Sequence, residues 1–111
     1  MDKEYLIVSI TNPSKEVGEE IVDTLLESKL AACVNMMAPI FSLYTWEEEI
    51  NRDDEVLLIV KSRADLFESD LIPVVHPYDV PEIIALPILM GSANYLAWID
   101  DVARQSYPGC L

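Results

Sequence analysis

Residues 40–61, IFSLYTWEEEINRDDEVLLIVK, decide the fold, because they hold two apolar runs separated by an acidic segment. Side chains in 40–46 alternate between apolar and polar or aromatic, which is the pattern of a half-exposed strand. The run 56–61 is short, apolar and rich in branched residues, as a buried strand is. Residues 47–55 carry six acidic side chains and predict a solvated hairpin connection. The stretch therefore predicts two antiparallel strands.

The residues before this hairpin predict a strand, a helix and a further strand. Residues 5–10 form a short apolar run that is stopped by Asn12 and Pro13, as a buried strand followed by a turn would be. In residues 17–26 the apolar side chains recur at helical spacing opposite acidic ones. Asn12 or Ser14 can cap the start of that helix. Another compact apolar run, residues 30–37, predicts the strand that precedes the hairpin.

The residues after the hairpin predict a helix, a strand and a final helix. Residues 62–75 have apolar side chains at helical spacing, although Pro73 ends or kinks a helix there. An extended loop with two prolines follows at 76–81. Residues 82–88 predict a strand that is either an edge strand or bulged at Pro87, because proline cannot donate to a central ladder. Residues 94–103 predict a helix that Ser92 caps.

This order is the split β-α-β pattern of a ferredoxin-like α+β domain with one extra C-terminal helix. We expect one domain over residues 1–111, with an antiparallel sheet that carries its helices on one face. The uncovered sheet face and the apolar hairpin predict self-association.

Composition excludes several classes of partner. The 111 residues are 51% hydrophobic and 24% charged, which suits a single globular core. A net charge of −13 repels nucleic acid and anionic membranes. No apolar run reaches the ~20 residues that span a bilayer. Residues 1–4 lack the start of a secretory signal, so we expect a cytoplasmic protein with Cys33 and Cys110 reduced.

Residues capable of catalysis are few. His76 is the only histidine, no Gly-x-Ser-x-Gly elbow accompanies it, and three glycines cannot build a phosphate-binding loop. We therefore expect a protein that is not an enzyme, with general acid or base catalysis by His76 as a remaining hypothesis. His76 is either a metal ligand or proton shuttle on a proline-stiffened loop, or a residue that anchors the loop by a hydrogen bond.

Metal-binding and anion-binding residues each have two interpretations. Cys33 is a soft metal donor or a small buried hydrophobe, and Met36 and Met37 are expected in the core. No Cys or His pair has metal-ligand spacing, so a site within one chain would be incomplete. Lys61 is either an anion contact or the ion-pair partner of Glu82.

Five blocks of the sequence together resemble the CutA divalent-cation tolerance family. They are LAACVN at 30–35, SLYTWE at 42–47, EVLLIVK at 55–61, HPYDVPEIIALP at 76–87 and YLAW at 95–98. The resemblance implies a ferredoxin-like subunit, a homotrimer whose sheets meet edge to edge, a cytoplasmic location, and a link to copper and other divalent ions that folding does not require. It implies no known reaction.

The resemblance also implies a set of site residues. Cys33 and His76 would supply metal donors. The cleft between subunits would be lined by Tyr44, Trp46, Lys61, Tyr78 and Glu82. We therefore expect a homotrimer that binds copper or a similar divalent ion. The alternative is a trimer similar to the PII signalling proteins, with a small effector held in the cleft by Lys61, Tyr78 and Glu82.

Overall fold

The computed structural model describes residues 5–73 and 81–103, which form an α+β fold around one antiparallel sheet. The strands are β1 (Tyr5–Asn12), β2 (Cys33–Trp46), β3 (Glu49–Arg63) and β4 (Ile83–Pro87). The helices are α1 (Lys15–Glu27), α2, made of an α-helical turn Ala64–Leu66 and a π-helical turn Phe67–Leu71, and α3 (Ala93–Val102). The strand order is β2-β3-β1-β4.

The core lies on the sheet face that α1 covers. Alternate residues of the two central strands, such as Val8 in β1 and Leu58 and Val60 in β3, are fully buried there. Leu25 of α1 is fully buried in the same cluster. Burial of each such side chain is worth about 1.5–3 kcal/mol, which drives the helix onto the sheet.

Helix α1 begins where the sequence predicts. The Val17 backbone N–H donates to Ser14 Oγ at 3.1 Å, so Ser14 is the N-cap. Buried Asn12 supports the same turn, because its Oδ1 accepts from the Ser14 backbone N–H at 3.3 Å. Both residues that the sequence offered as caps therefore act at this helix start.

The hairpin is longer than predicted. Residues 33–46 form one strand, where the sequence predicts two, and a bulge between Met37 and Ile40 takes up the break at Pro39. The acidic segment is also mostly strand, because β3 begins at Glu49 and leaves only a two-residue turn after Trp46. A bulge absorbs one extra residue while pairing resumes beyond it. Acidic side chains on a solvent-exposed strand need no core, so their charge did not exclude pairing.

Helix α3 corrects the expectation that the helices lie on one face. Asp100 accepts a hydrogen bond from the Tyr5 hydroxyl at 2.7 Å and lies 3.6 Å from an Arg63 nitrogen. Tyr5 and Arg63 are partners in the sheet register and alternate with the buried residues that face α1. Helix α3 therefore packs against the other face, at one end of the sheet. Helix α2 is shorter than residues 62–75, ending at Leu71.

Among the described residues, no helix covers the rest of that second face beyond its border at Cys33, which α3 reaches through Tyr95, and we call it the open sheet face. Register places on it the following residues: Ile7, Ser9 and Thr11 of β1, Cys33, Asn35 and Met37 of β2, Leu57, Ile59 and Lys61 of β3, and Ile84 and Leu86 of β4. Met37, expected in the core, is 50% exposed here. In the described part of the chain, none of the helices has both the length and the apolar character needed to cross a bilayer.

Candidate functional site

Lys61 stands on the open sheet face with polar neighbours from β2. It is opposite Cys33 in the register, and its Nζ donates to Asn35 Oδ1. Among the described residues, the side chain that accepts this hydrogen bond from Lys61 is a neutral amide and not a carboxylate. Asn35 therefore fixes the direction of the Lys61 side chain, but its neutral amide does not neutralise the positive charge.

Cys33 is half-buried and adjoins α3. Its neighbour on α3 is Tyr95. Burial is the main cause that raises the pKa of the Tyr95 hydroxyl, and the charge of Cys33 and a hydrogen bond with Cys33 raise this pKa further. Tyr95 also packs its ring on Trp98, with ring centroids 5.5 Å apart. The thiol is therefore neither fully buried, as one prediction had it, nor fully solvated.

Glu82 lies on the same face but far from Lys61. The Ser9 hydroxyl donates to Glu82 Oε2 at 3.3 Å. Ile7 pairs with both Lys61 and Leu86, so Glu82 is two strands across and four residues along from Lys61. At ~4.8 Å per strand and ~3.3 Å per residue, their Cα atoms are ~16 Å apart. An ion pair between them within one chain, one of the two interpretations above, is therefore wrong.

Tyr44 and Trp46 lie at the far end of the hairpin. The Tyr44 hydroxyl donates to the Asp53 carboxylate, and this hydrogen bond is the main cause that raises the pKa of Tyr44. Tyr44 pairs with Asn51, ten residues before Lys61 on β3, so the two side chains start ~30 Å apart. Within one chain the structure does not bring the aromatic pair and Lys61 together.

His76 and Tyr78 lie outside the described residues, so the structure says nothing of their placement. Within residues 5–73 and 81–103, no group of three or more His, Cys, Asp or Glu side chains is arranged to hold a metal ion. Cys33 is thus the only thiol in this part of the chain. A transition-metal site that uses Cys33 needs further ligands from elsewhere.

Sequence reasoning missed Asn35, Ser9 and Tyr95 as neighbours of the proposed site residues. The period-two alternation of β1 and β2 could have placed Ser9 and Asn35 on one face, because each is a polar residue between apolar ones. Tyr95 was not detectable this way, since its contact with Cys33 depends on which face α3 covers.

The comparisons with known proteins agree with this fold. The family model described as CutA1 divalent ion tolerance protein matches residues 6–102. A divalent-cation tolerance protein CutA from Thermus thermophilus is 44% identical over 97 residues, which cover 86% of this chain and 94% of that protein. The chloroplastic protein CutA of Arabidopsis thaliana is 43% identical over 89% of this chain, which spans only 56% of the plant protein.

A solved structure gives the same result in three dimensions. The crystal structure of CutA1 from Oryza sativa superposes with a TM-score of 0.87 and 42% identity, covering 93% of this chain and 96% of that one. Identity at this level over nearly the whole domain, together with the family match, leaves one assignment. The chain belongs to the CutA1 divalent ion tolerance family.

Proposed function

We propose that this protein is a homotrimer that binds copper or a similar divalent cation at sites completed between its copies. The observation that carries the proposal is the incomplete donor set around Cys33. Membership of a divalent ion tolerance family makes metal relevant. Because the described residues of one chain offer a single thiol and no group of three His, Cys, Asp or Glu ligands, selective binding needs His76 or donors from neighbouring copies.

The shape of the chain supports assembly. Phe41, Leu43 and Ile50 are more than half exposed on the hairpin, although their side chains are apolar. Exposed apolar surface of this kind is typical of protein interfaces. A trimer would cover the hairpin and bring Tyr44 and Trp46 of one copy toward Lys61 of another.

The proposal includes three further points. The element order and the strand order β2-β3-β1-β4 support a ferredoxin-like subunit. The lack of a recognised catalytic motif in the sequence supports a binding protein and not an enzyme. A cytoplasmic location is proposed from the resemblance described above. The acidic composition supports a protein without nucleic-acid or anionic-membrane partners.

Calorimetric titration of Cu(II) into the assembled protein tests the metal site. The Cys33→Ser and His76→Ala variants should each weaken binding at least about tenfold, since removal of one ligand leaves an incomplete coordination sphere. Cys110→Ser is the matched control for a cysteine outside the proposed site and should bind as the parent does. Unchanged affinity in both site variants would remove the metal proposal.

One observation favours a second function, in which the cleft binds a small anionic or zwitterionic effector. Lys61 is oriented by Asn35 without a recorded carboxylate partner in the described chain, as an anion-binding lysine would be. Thermal-shift measurements with small dicarboxylates and nucleotides test it. Stabilisation that Lys61→Gln abolishes would support the effector function, and no stabilisation by any of these probes would reject it.

A further inference from the structure

We propose that Lys61 of one copy forms an ion pair with Glu82 of the partner subunit, across the open sheet face. The inference rests on the proposed self-association and deepens it, because it states which charges fix the relation between neighbouring copies. Within one chain the two groups share a face but are ~16 Å apart, so neither can satisfy the other.

The charges are placed near opposite edges of the sheet. Strand β4, which Glu82 precedes, is one edge, and β2, next to the Lys61 strand, is the other edge. A head-to-tail contact that sets the β2 edge of one copy beside the β4 edge of the next puts Lys61 two strand spacings, ~10 Å, from the facing β4 strand. Repetition of such a heterologous contact closes a ring when the rotation allows it.

The local partners of both groups suit this role. Asn35 and Ser9, which contact Lys61 and Glu82 respectively, are neutral and hold each charged group on the open sheet face. The chain has only 7 basic side chains against 20 acidic ones, so two copies repel each other on average through their net charge. A correctly placed lysine therefore selects one docking geometry over the others.

Ile59, Ile84 and Leu86 give the same surface an apolar component. Ile84 and Leu86 are 52% and 54% exposed in the single chain, beside the two charged groups. Burial of these side chains would supply the association free energy, and exclusion of water would strengthen the ion pair. The second copy is thus the occupant that matches both the charge and the apolar area of this face.

A charge-exchange experiment tests the pair. The midpoint concentration of assembly is measured by light scattering for Lys61→Glu, for Glu82→Lys and for the double variant. Each single change places like charges together and should raise the midpoint about tenfold or more, whereas the double variant should recover most of the loss. Mixing the two single variants should restore assembly only in part, because a three-membered ring made from both variants keeps one like-charge contact beside two opposite-charge contacts.

Matched controls separate this contact from net charge. Lys15→Glu and Glu27→Lys change the same charges on exposed positions of α1, and they should leave the midpoint within about twofold of the parent. If a charge-reversed variant does not fold by circular dichroism, the coupling is measured with Lys61→Gln, Glu82→Gln and their double variant instead.

The outcomes distinguish this inference from the proposed function. An assembled parent whose two single effects simply add in the double variant overturns the ion pair and leaves the trimer standing. A parent that stays monomeric at all concentrations overturns both. A coupling between the two changes that becomes weaker in about 1 M salt is the result expected of a pair whose attraction is electrostatic.

Discussion

At the scale of single residues, the hairpin turn holds the least expected backbone of the molecule. Glu47 and Glu48 have φ angles of 53° and 67°, which lie in the left-handed region. Trp46 pairs with Glu49, so these two glutamates alone make the turn. Two-residue hairpin turns with positive φ at both positions favour Asn-Gly. Glycine has no Cβ to clash with the backbone there, and asparagine tolerates the left-handed region better than most residues do.

Replacement of Glu48 by glycine should therefore stabilise the protein. We expect the free energy of unfolding to rise by about 1 kcal/mol, since glycine removes the left-handed penalty and one of the adjacent like charges. Denaturant unfolding at a fixed protein concentration measures it. Glu49→Gly is the control, because Glu49 is extended and its loss should destabilise by about 0.5–1 kcal/mol. Equal effects of both changes would show that backbone conformation is not the cause.

The same scale shows what residue patterns predict and what they omit. The alternation of residues 40–46 correctly separates Tyr44 and Trp46 from Phe41 and Leu43, since these pairs occupy opposite faces of β2. It does not predict that Tyr44 donates to Asp53. That contact depends on the register of two strands, which period-two spacing within one strand leaves open.

At the scale of elements, the N-cap of α1 gives a prediction about the free energy of unfolding. Ser14→Ala removes the acceptor for the Val17 backbone N–H, and we expect a loss of about 1 kcal/mol in the free energy of unfolding. Ser28 at the other end of α1 is the matched serine, because it caps through its backbone N–H alone. Ser28→Ala should change stability by less than about 0.5 kcal/mol.

The attachment of α3 gives a prediction about pH. The hydrogen bond to Asp100 is the largest cause that raises the pKa of Tyr5 above 10.0. A raised folded-state pKa means that this contribution to stability is fully present below pH 10.0 and is lost as pH rises through the folded value. Tyr5→Phe should lower the melting temperature at neutral pH.

The fall of the melting temperature at alkaline pH tests whether the Tyr5–Asp100 hydrogen bond is the cause. As pH rises above 10.0, the melting temperature of Tyr5→Phe should fall less than that of the parent, because the variant has lost this titrating group. Asp100→Asn weakens the same contact from the other side, so its effect and that of Tyr5→Phe should be less than additive in the double variant. Additive effects and a parent-like alkaline slope would show that the hydrogen bond does not hold α3.

The sequence predicts which helices and strands form better than it predicts the residues at which they begin and end. Helix α1 and helix α3 carry both spacing and caps, and Ser92 accepts from the Tyr95 backbone N–H as its position predicts. The long strands β2 and β3 were not predicted as continuous, because proline at 39 and acidic residues at 53–55 are typical of breaks and loops. Cross-strand pairing outweighs those local preferences when the neighbouring strand is already in place.

At the scale of the whole molecule, the hairpin makes the chain elongated. Its principal extents are 46, 31 and 23 Å and its Cα radius of gyration is 14.9 Å. A compact domain of ~100 residues has a radius of gyration of ~13 Å. Strand β1 pairs with β3 only as far as Val56, so within residues 5–73 and 81–103 no third strand supports the hairpin beyond that residue. We infer that neighbouring copies supply that support.

Phe41→Arg tests the inference at this scale. Phe41 is 60% exposed on the hairpin, so arginine costs little in the isolated subunit but places a charge where the proposed assembly buries an aromatic ring. We expect light scattering to show a shift from trimer toward monomer, with an unchanged far-ultraviolet circular dichroism spectrum. Leu26→Arg is the matched control, since Leu26 is 41% exposed on α1, away from the hairpin. A trimer that survives Phe41→Arg as well as it survives Leu26→Arg would place the interface elsewhere, and the hairpin would then need another reason to expose its apolar side chains.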